Sequence, residues 1–134
     1  MFKKIKLKSF KKKSGILIPI EFNKKFPIKI KRIFYIYGKQ NYIRADHAHK
    51  KCSQLFIPIS GKVRLTYINK RGKSVKILNH KNKEMFLLKP YNWCRIKFIS
   101  KNVILMVACD RFYEFNDYIE NYSDFLKSIK KNTK

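Results

Sequence analysis

Glycine is rare in this chain, 4 in 134 residues. No Gly-rich loop of the kind that cradles a dinucleotide or triphosphate can be read from it. Cysteine is rarer still. Cys52, Cys94 and Cys109 are an odd number with no CxxC spacing, which argues against a disulfide framework and a zinc knuckle and fits a reducing cytoplasm. No long apolar run is present. The N-terminal stretch Gly15 to Ile20 is short and broken by Pro19, so neither a signal peptide nor membrane insertion is expected. Acidic residues are outnumbered, 8 against 33 Lys and Arg, for a formal net charge of +25. That charge raises nucleic acid as a partner. Two facts weigh against it. Nearly all the basic residues are Lys, and the arginines that read phosphate and base edges are few: Arg32, Arg44, Arg64, Arg71, Arg95 and Arg111. The excess of Lys, Ile, Asn, Phe and Tyr is also what an AT-rich coding sequence produces. No nucleic acid is therefore expected, although the charge concentrates anionic ligands such as nucleoside diphosphates.

What the chain does contain is strand-forming residues. Apolar residues make up 45%, and 134 residues suit a single domain spanning 1–134 with a core of its own. Short apolar runs alternate with polar turns: Ile5–Phe10, Ile16–Glu21, Ile28–Tyr37, Gln54–Ile59, Lys62–Ile68, Ser74–Leu78, Met85–Leu88, Trp93–Phe98 and Val103–Ala108. Only the tail has helical spacing, in Tyr118, Ile119, Tyr122, Phe125, Leu126 and Ile129, with Asn116 as its expected cap. The prediction is a mainly β fold, a small jelly-roll β-barrel with a C-terminal α-helix.

The three histidines are His47, His49 and His80. His80 lies in a polar turn and is expected to be exposed. His47 and His49 are two apart on an extended segment, so both side chains share one face. Facing a lumen, such a pair can bind a metal or exchange protons. The spacing resembles the first cupin motif, with Gln54 at the position of its Glu and Gly61 at that of its Gly. At the second motif Pro90 is present, but Asn92 replaces the Gly and Arg95 stands where a His is expected. Gln is a poor ligand for a transition metal and Arg repels one, so no metal is expected.

Further residues extend the pattern. They are Ile20-Glu21, the run from Phe26 to Gly38, Arg44-Ala45-Asp46-His47-Ala48-His49-Lys50, Gln54, Gly61, Pro90, Trp93, and the tail from Tyr113 to Phe125. In these the chain resembles the dTDP-4-keto-6-deoxyglucose 3,4-ketoisomerases, from Gly15 to Leu126. It departs at Ala45, where the family has Gly, at Lys12-Lys13-Ser14-Gly15 in place of Asp-x-Arg-Gly, and at Glu120 in place of Arg. The resemblance implies a cofactor-free isomerase that moves a ketone from C4 to C3 of a dTDP-linked keto sugar through an enediolate, and a homodimer. It also implies a place in deoxy-amino-sugar synthesis for surface glycans, ahead of an aminotransferase and an N-acyltransferase.

A base with a pKa near neutral suits this reaction. The resemblance makes His49 the base and His47 its partner. Tyr35 would donate to the oxyanion, Arg44 would bind near the site or the diphosphate, and Arg32, Gln54 and Arg95 would help hold substrate. One base on one ring face would give a galacto product; delivery from the opposite face would retain gluco. Both routes are open to a histidine pair. The alternatives are a metal-dependent, dioxygenase-like cupin and a basic nucleic-acid or anion-binding module. For the dimer, the alternation of Lys and apolar residues from Phe2 to Phe10 offers a strand to a neighbour's sheet.

Overall fold

The computed structural model describes residues 2–131. Twelve strands and one helix follow in order: β1 Phe2–Lys6, β2 Phe10–Lys12, β3 Gly15–Leu17, β4 Arg32–Gly38, β5 Ile43–His49, β6 Gln54–Ser60, β7 Lys62–Asn69, β8 Gly72–Asn79, β9 Glu84–Leu88, β10 Trp93–Phe98, β11 Val103–Cys109, β12 Tyr118–Ile119 and α1 Tyr122–Lys131. Strands β4 to β11 form the jelly roll. One antiparallel sheet has the order β1-β9-β6-β11-β4 and the other β12-β5-β10-β7-β8. The two sheets face each other as a sandwich and are not hydrogen-bonded into a closed barrel, so the expected barrel is a jelly-roll sandwich with a lumen between its layers.

Alternation along the strands explains the layering. In β7 the inward residues Val63, Leu65 and Tyr67 are buried between exposed Lys62 and Arg64 and half-buried Thr66. Opposite them β11 buries Val103, Leu105 and Val107. With Phe56, Phe86 and Phe98 these fill the core. The outer face of the first sheet is also covered. Ile20, Phe26, Ile28 and Ile30, which lie outside regular strands, pack on Leu55, Ile57, Met85 and Leu87. The expected strands Ile16–Glu21 and Ile28–Tyr37 are accordingly shorter. Ile20, Ile28 and Ile30 are satisfied by packing on a sheet and need no ladder of their own.

Two local expectations change. The helix begins at Tyr122, and Asn121 caps it: its side-chain oxygen accepts from the Asp124 amide at 3.0 Å. Asn116 instead lies in a 3-10 turn, Phe115–Asp117, and Tyr118 and Ile119 pair with β5. The apolar spacing was read four residues too early because a short strand and the helix abut. Trp93 and Ala48 receive the helix through Ile119 and Phe125. His80 is half-buried and accepts the Gly61 amide at 3.0 Å, so it locks a turn.

Gly38 sits where β4 crosses the Phe98 ring. A Cβ there would overlap the ring, which is 1% exposed and cannot swing away. Gly38→Ala should lower stability by about 1–3 kcal/mol; an unchanged urea midpoint would contradict this packing.

Candidate active site

Strand β5 is built around a bulge. Its register on β10 runs Cys94↔His47 and then Arg95↔Ala45, leaving Asp46 as the extra residue. Ala45 (φ 74°) and Asp46 (φ 56°) are both left-handed, a strained conformation for residues with a Cβ. The bulge turns Asp46 outward and resets the alternation. Arg44, Ala45 and His47 all reach the lumen as a result. Simple period-two reading would put Arg44 and His47 on opposite faces.

The lumen is a cavity of about 510 Å³, a size suited to a small ligand. Its wall includes Arg32, Arg44, His47, Gln54, Tyr113 and Tyr118. Hollows of comparable size on the outer face of the second sheet and beside the β7–β8 turn contain no histidine. His49 stands behind His47 and Tyr118. The two imidazole centroids are 5.0 Å apart, and the Tyr118 ring lies 4.9 Å from His47 and 4.4 Å from His49.

His49 is 6% exposed, and its Nδ1 lies 2.8 Å from Asp117 Oδ2. Asp117 also accepts the amides of Lys51 (2.6 Å) and Cys52 (3.3 Å). Burial works to raise the Asp117 carboxyl, but hydrogen bonds from His49 and the Lys51 amide outweigh it and hold it below the usual range. An ionised carboxylate only accepts, so Nδ1 carries the proton and Nε2 keeps its lone pair. That Nε2 is buried and has no protein partner. Burial lowers His49 further than Asp117 raises it, and the Arg32 cation adds to the lowering. Burial and then the neighbouring His49 lower His47 from 6.5 to about 4. Both imidazoles are therefore neutral bases at neutral pH. Tyr118 is pushed up, chiefly by burial, and remains a phenol able to donate.

Arg32 enters the lumen from β4, between the rings of Phe34 and Tyr113 (5.6 Å each). Its Nη2 donates to Cys109 Sγ at 3.6 Å, and Gln54 Nε2 donates to the same sulfur at 3.6 Å. Burial opposes the charge on Arg32, but Cys109 and then Tyr118 favour it, so it stays cationic. Its Nε is the other buried polar atom lacking a partner among the described residues. The one group of candidate metal donors among them is His49, Cys52 and Asp117, with ligand atoms within 4.8 Å. There both carboxylate oxygens already take hydrogen bonds from His49, Lys51 and Cys52.

Of the residues expected to form the site, His47, His49, Arg44, Arg32 and Gln54 come together. Two do not. Tyr35 is 60% exposed, because β4 turns Arg32, Phe34 and Ile36 inward and Ile33, Tyr35 and Tyr37 outward. It therefore lies outside this lumen, and Tyr118 is the tyrosine that lies against both histidines. Arg95 also faces outward, paired with Asp46 at 2.6 and 3.1 Å. Cys94, one residue earlier, is the side chain that β10 turns into the lumen. Asp117, Tyr118 and Tyr113 were missed as site residues. Their signal was the Asp117-Tyr118-Ile119 tail, which reads as a helix start until β12 places it beside β5.

Two sheets with a histidine pair, a tyrosine and an arginine in the lumen define a cupin-like protein equipped for acid–base chemistry on an anionic ligand. The chain belongs to the FdtA family, described as WxcM-like, C-terminal, whose model matches residues 2–130. A TDP-4-oxo-6-deoxy-alpha-D-glucose-3,4-oxoisomerase of Aneurinibacillus thermoaerophilus is 33% identical over 119 residues, 87% of this chain and 84% of that protein. Among solved structures, the 3,4-ketoisomerase QdtA of Thermoanaerobacterium thermosaccharolyticum superposes with a TM-score of 0.91 at 28% identity, covering 98% of this chain and 96% of that one. That structure is a His-to-Asn mutant in complex with TDP-4-keto-6-deoxyglucose. A 3,4-ketoisomerase from Helicobacter canadensis gives 0.89 at 29% identity, covering 96% and 97%.

The lowered histidines set a pH dependence. Unfolded His47 takes up its proton near 6.5, whereas folded His47 does so only at about 4, and folded His49 is lowered in the same direction. Stability should be fully present above pH 6.5 and be lost as pH falls toward 4. The acidic limb of kcat/KM should lie below pH 6.5 for the same reason. A limb above that value would mean that the imidazoles are not held neutral.

Proposed function

We propose that this protein is a 3,4-ketoisomerase that converts TDP-4-keto-6-deoxyglucose to a TDP-linked 3-keto-6-deoxyhexose. The observation that carries this reading is the buried, unpartnered Nε2 of His49, backed by Asp117 and set beside cationic Arg32. His49 Nε2 takes the C3 proton as C3 seats against the His47 and Tyr118 rings. The C3–H pair becomes the C3=C4 bond, and the C4 carbonyl oxygen becomes an oxyanion. Arg32 and the Tyr118 hydroxyl stabilise that charge. The O3 proton then passes to O4, a transfer that Tyr118 or His47 can relay. Collapse of O3 to a carbonyl drives the C3=C4 pair onto a proton at C4, given back by the His49 imidazolium or by water that then deprotonates it. No electrons leave the sugar, so the reaction needs no external oxidant. Arg44, with Arg32, holds the diphosphate, and Gln54 orients the sugar.

We further propose that the enzyme is a cytoplasmic homodimer serving deoxy-amino-sugar synthesis. The β2–β3 hairpin supports the dimer: it is a two-stranded sheet of its own, with Phe10 56% and Leu17 62% exposed, and such a hairpin is unstable alone. The outer face of β4 exposes Tyr35 and Tyr37. β1 itself is paired with β9 of the same chain. Monomeric mass by light scattering would remove the dimer. No helix among the described residues is long and apolar enough to cross a membrane.

The test is turnover of TDP-4-keto-6-deoxyglucose in D2O, where a 3-keto product should form, with deuterium at C4 to the extent that the abstracted proton exchanges with solvent; no deuterium together with no 3-keto product would overturn the reading. His49→Asn and Asp117→Asn should each stay folded by circular dichroism and lose about 10²–10⁴-fold in kcat. Wild-type rates in His49→Asn would remove His49 as the base.

A further inference from the structure

Arg32 is a half-buried cation with no carboxylate beside it. None of the ion pairs among the described residues includes it. What it has instead is a sulfur. Cys109 is the last residue of β11, and its register partners are Arg32 on β4 and Gln54 on β6. Residues opposite one another in a sheet share a face, so all three side chains project to the same side of neighbouring strands. Arg32 Nη2 and Gln54 Nε2 meet on the Cys109 sulfur, each at 3.6 Å, and in both bonds the sulfur is the acceptor. Cys109 itself is 0% exposed and stands behind the part of the lumen wall that Arg32 and Gln54 form. A hydrogen bond from Cys52, then those from Arg32 and Gln54, hold the Cys109 thiol below its ordinary range against burial. Cys52 is raised by the same bond and stays the protonated partner.

We propose that Cys109 is a positioning residue for the isomerisation: its sulfur anchors the Arg32 guanidinium and the Gln54 amide together from behind, so that both meet the sugar in a fixed orientation. This rests on the ketoisomerase reading above and deepens it. A sulfur suits the place better than a carboxylate. A carboxylate takes a guanidinium by two parallel hydrogen bonds and would occupy the donors that face the ligand. It would also draw His49 toward its protonated form, whereas the Arg32 charge now works the other way. The sulfur takes one donor from Nη2 and leaves Nε, which is buried and has no partner among the described residues. Because the sulfur accepts, it also fixes the amide nitrogen, and not the oxygen, as the end of Gln54 that faces it. Cys109 does not line the lumen, so its effect on the reaction runs through these two side chains.

Steady-state kinetics of Cys109 variants on TDP-4-keto-6-deoxyglucose test the anchor. Cys109→Ala removes the acceptor, and Cys109→Val removes it while filling the space. Both should stay folded by circular dichroism and lose about 10–10²-fold in kcat, the scale of a misplaced positioning group. KM should change less, because Arg44 still holds the diphosphate. Cys109→Ser keeps an acceptor and should recover part of the loss. A residue that only packs would give the reverse order, with the valine variant active and the serine variant impaired, and that result would overturn the proposal. Wild-type kcat in Cys109→Ala would overturn it as well. If Cys109→Val does not fold, the other two decide: a serine variant no faster than the alanine variant removes the anchor and leaves the isomerase reading standing. Unmodified protein that forms no 3-keto product would overturn the isomerase reading and with it this role.

Discussion

The hydrogen bond between His49 and Asp117 is the interaction on which the site depends. It joins a residue of β5 to one 68 positions later in the chain. Asp117 can reach His49 only because β12 adds to the edge of β5, and β12 stays there because α1 docks through Phe125 onto Trp93 and Ala48. The C-terminal helix thus contributes no side chain to the chemistry but holds the carboxylate that sets the tautomer. The Lys51 and Cys52 amides complete the cradle by fixing both carboxylate oxygens. A neutral imidazole with a free Nε2 follows from that geometry together with burial.

Charge is distributed against the background of the chain. Against 33 bases there are 8 acids, and half of them hold other groups in place. Asp117 orients His49, Asp46 receives Arg95 outside the bulge, Asp110 holds the Ser53 amide and Glu114 pairs with Arg111. Inside the lumen the positive charge comes from arginine. Arg32 is kept charged by Cys109 and Tyr118 and helps keep His49 neutral. One cation thereby favours the unprotonated form of His49 and gives the lumen its positive charge.

The bulge at Ala45 and Asp46 connects strain to function. Two consecutive left-handed residues with side chains are costly, roughly 1–2 kcal/mol each. The return is an arginine and a histidine on one face of a strand that would otherwise separate them. A register shift of one residue does this without lengthening the loop that leads into the strand.

Much of this was legible in the sequence because it depends on local periodicity and residue chemistry. Alternating short runs made the fold mainly β, the spacing of His47 and His49 put them on one face, and Gln54 kept its inward place because β6 holds its register on β11 from Gln54 to Pro58. Tyr35 and Arg95 were misplaced for a common reason. Each neighbours the residue that faces inward, and in a strand an offset of one reverses the face. Asp117 and Tyr118 were hidden because a two-residue strand has no period to detect. Residue types and their alternation therefore determined the jelly roll and the imidazole pair. Only the tertiary structure decided which carboxylate backs His49 and which tyrosine lies against it. Those depend on pairing between segments tens of residues apart and on a bulge, neither of which leaves a mark in local sequence.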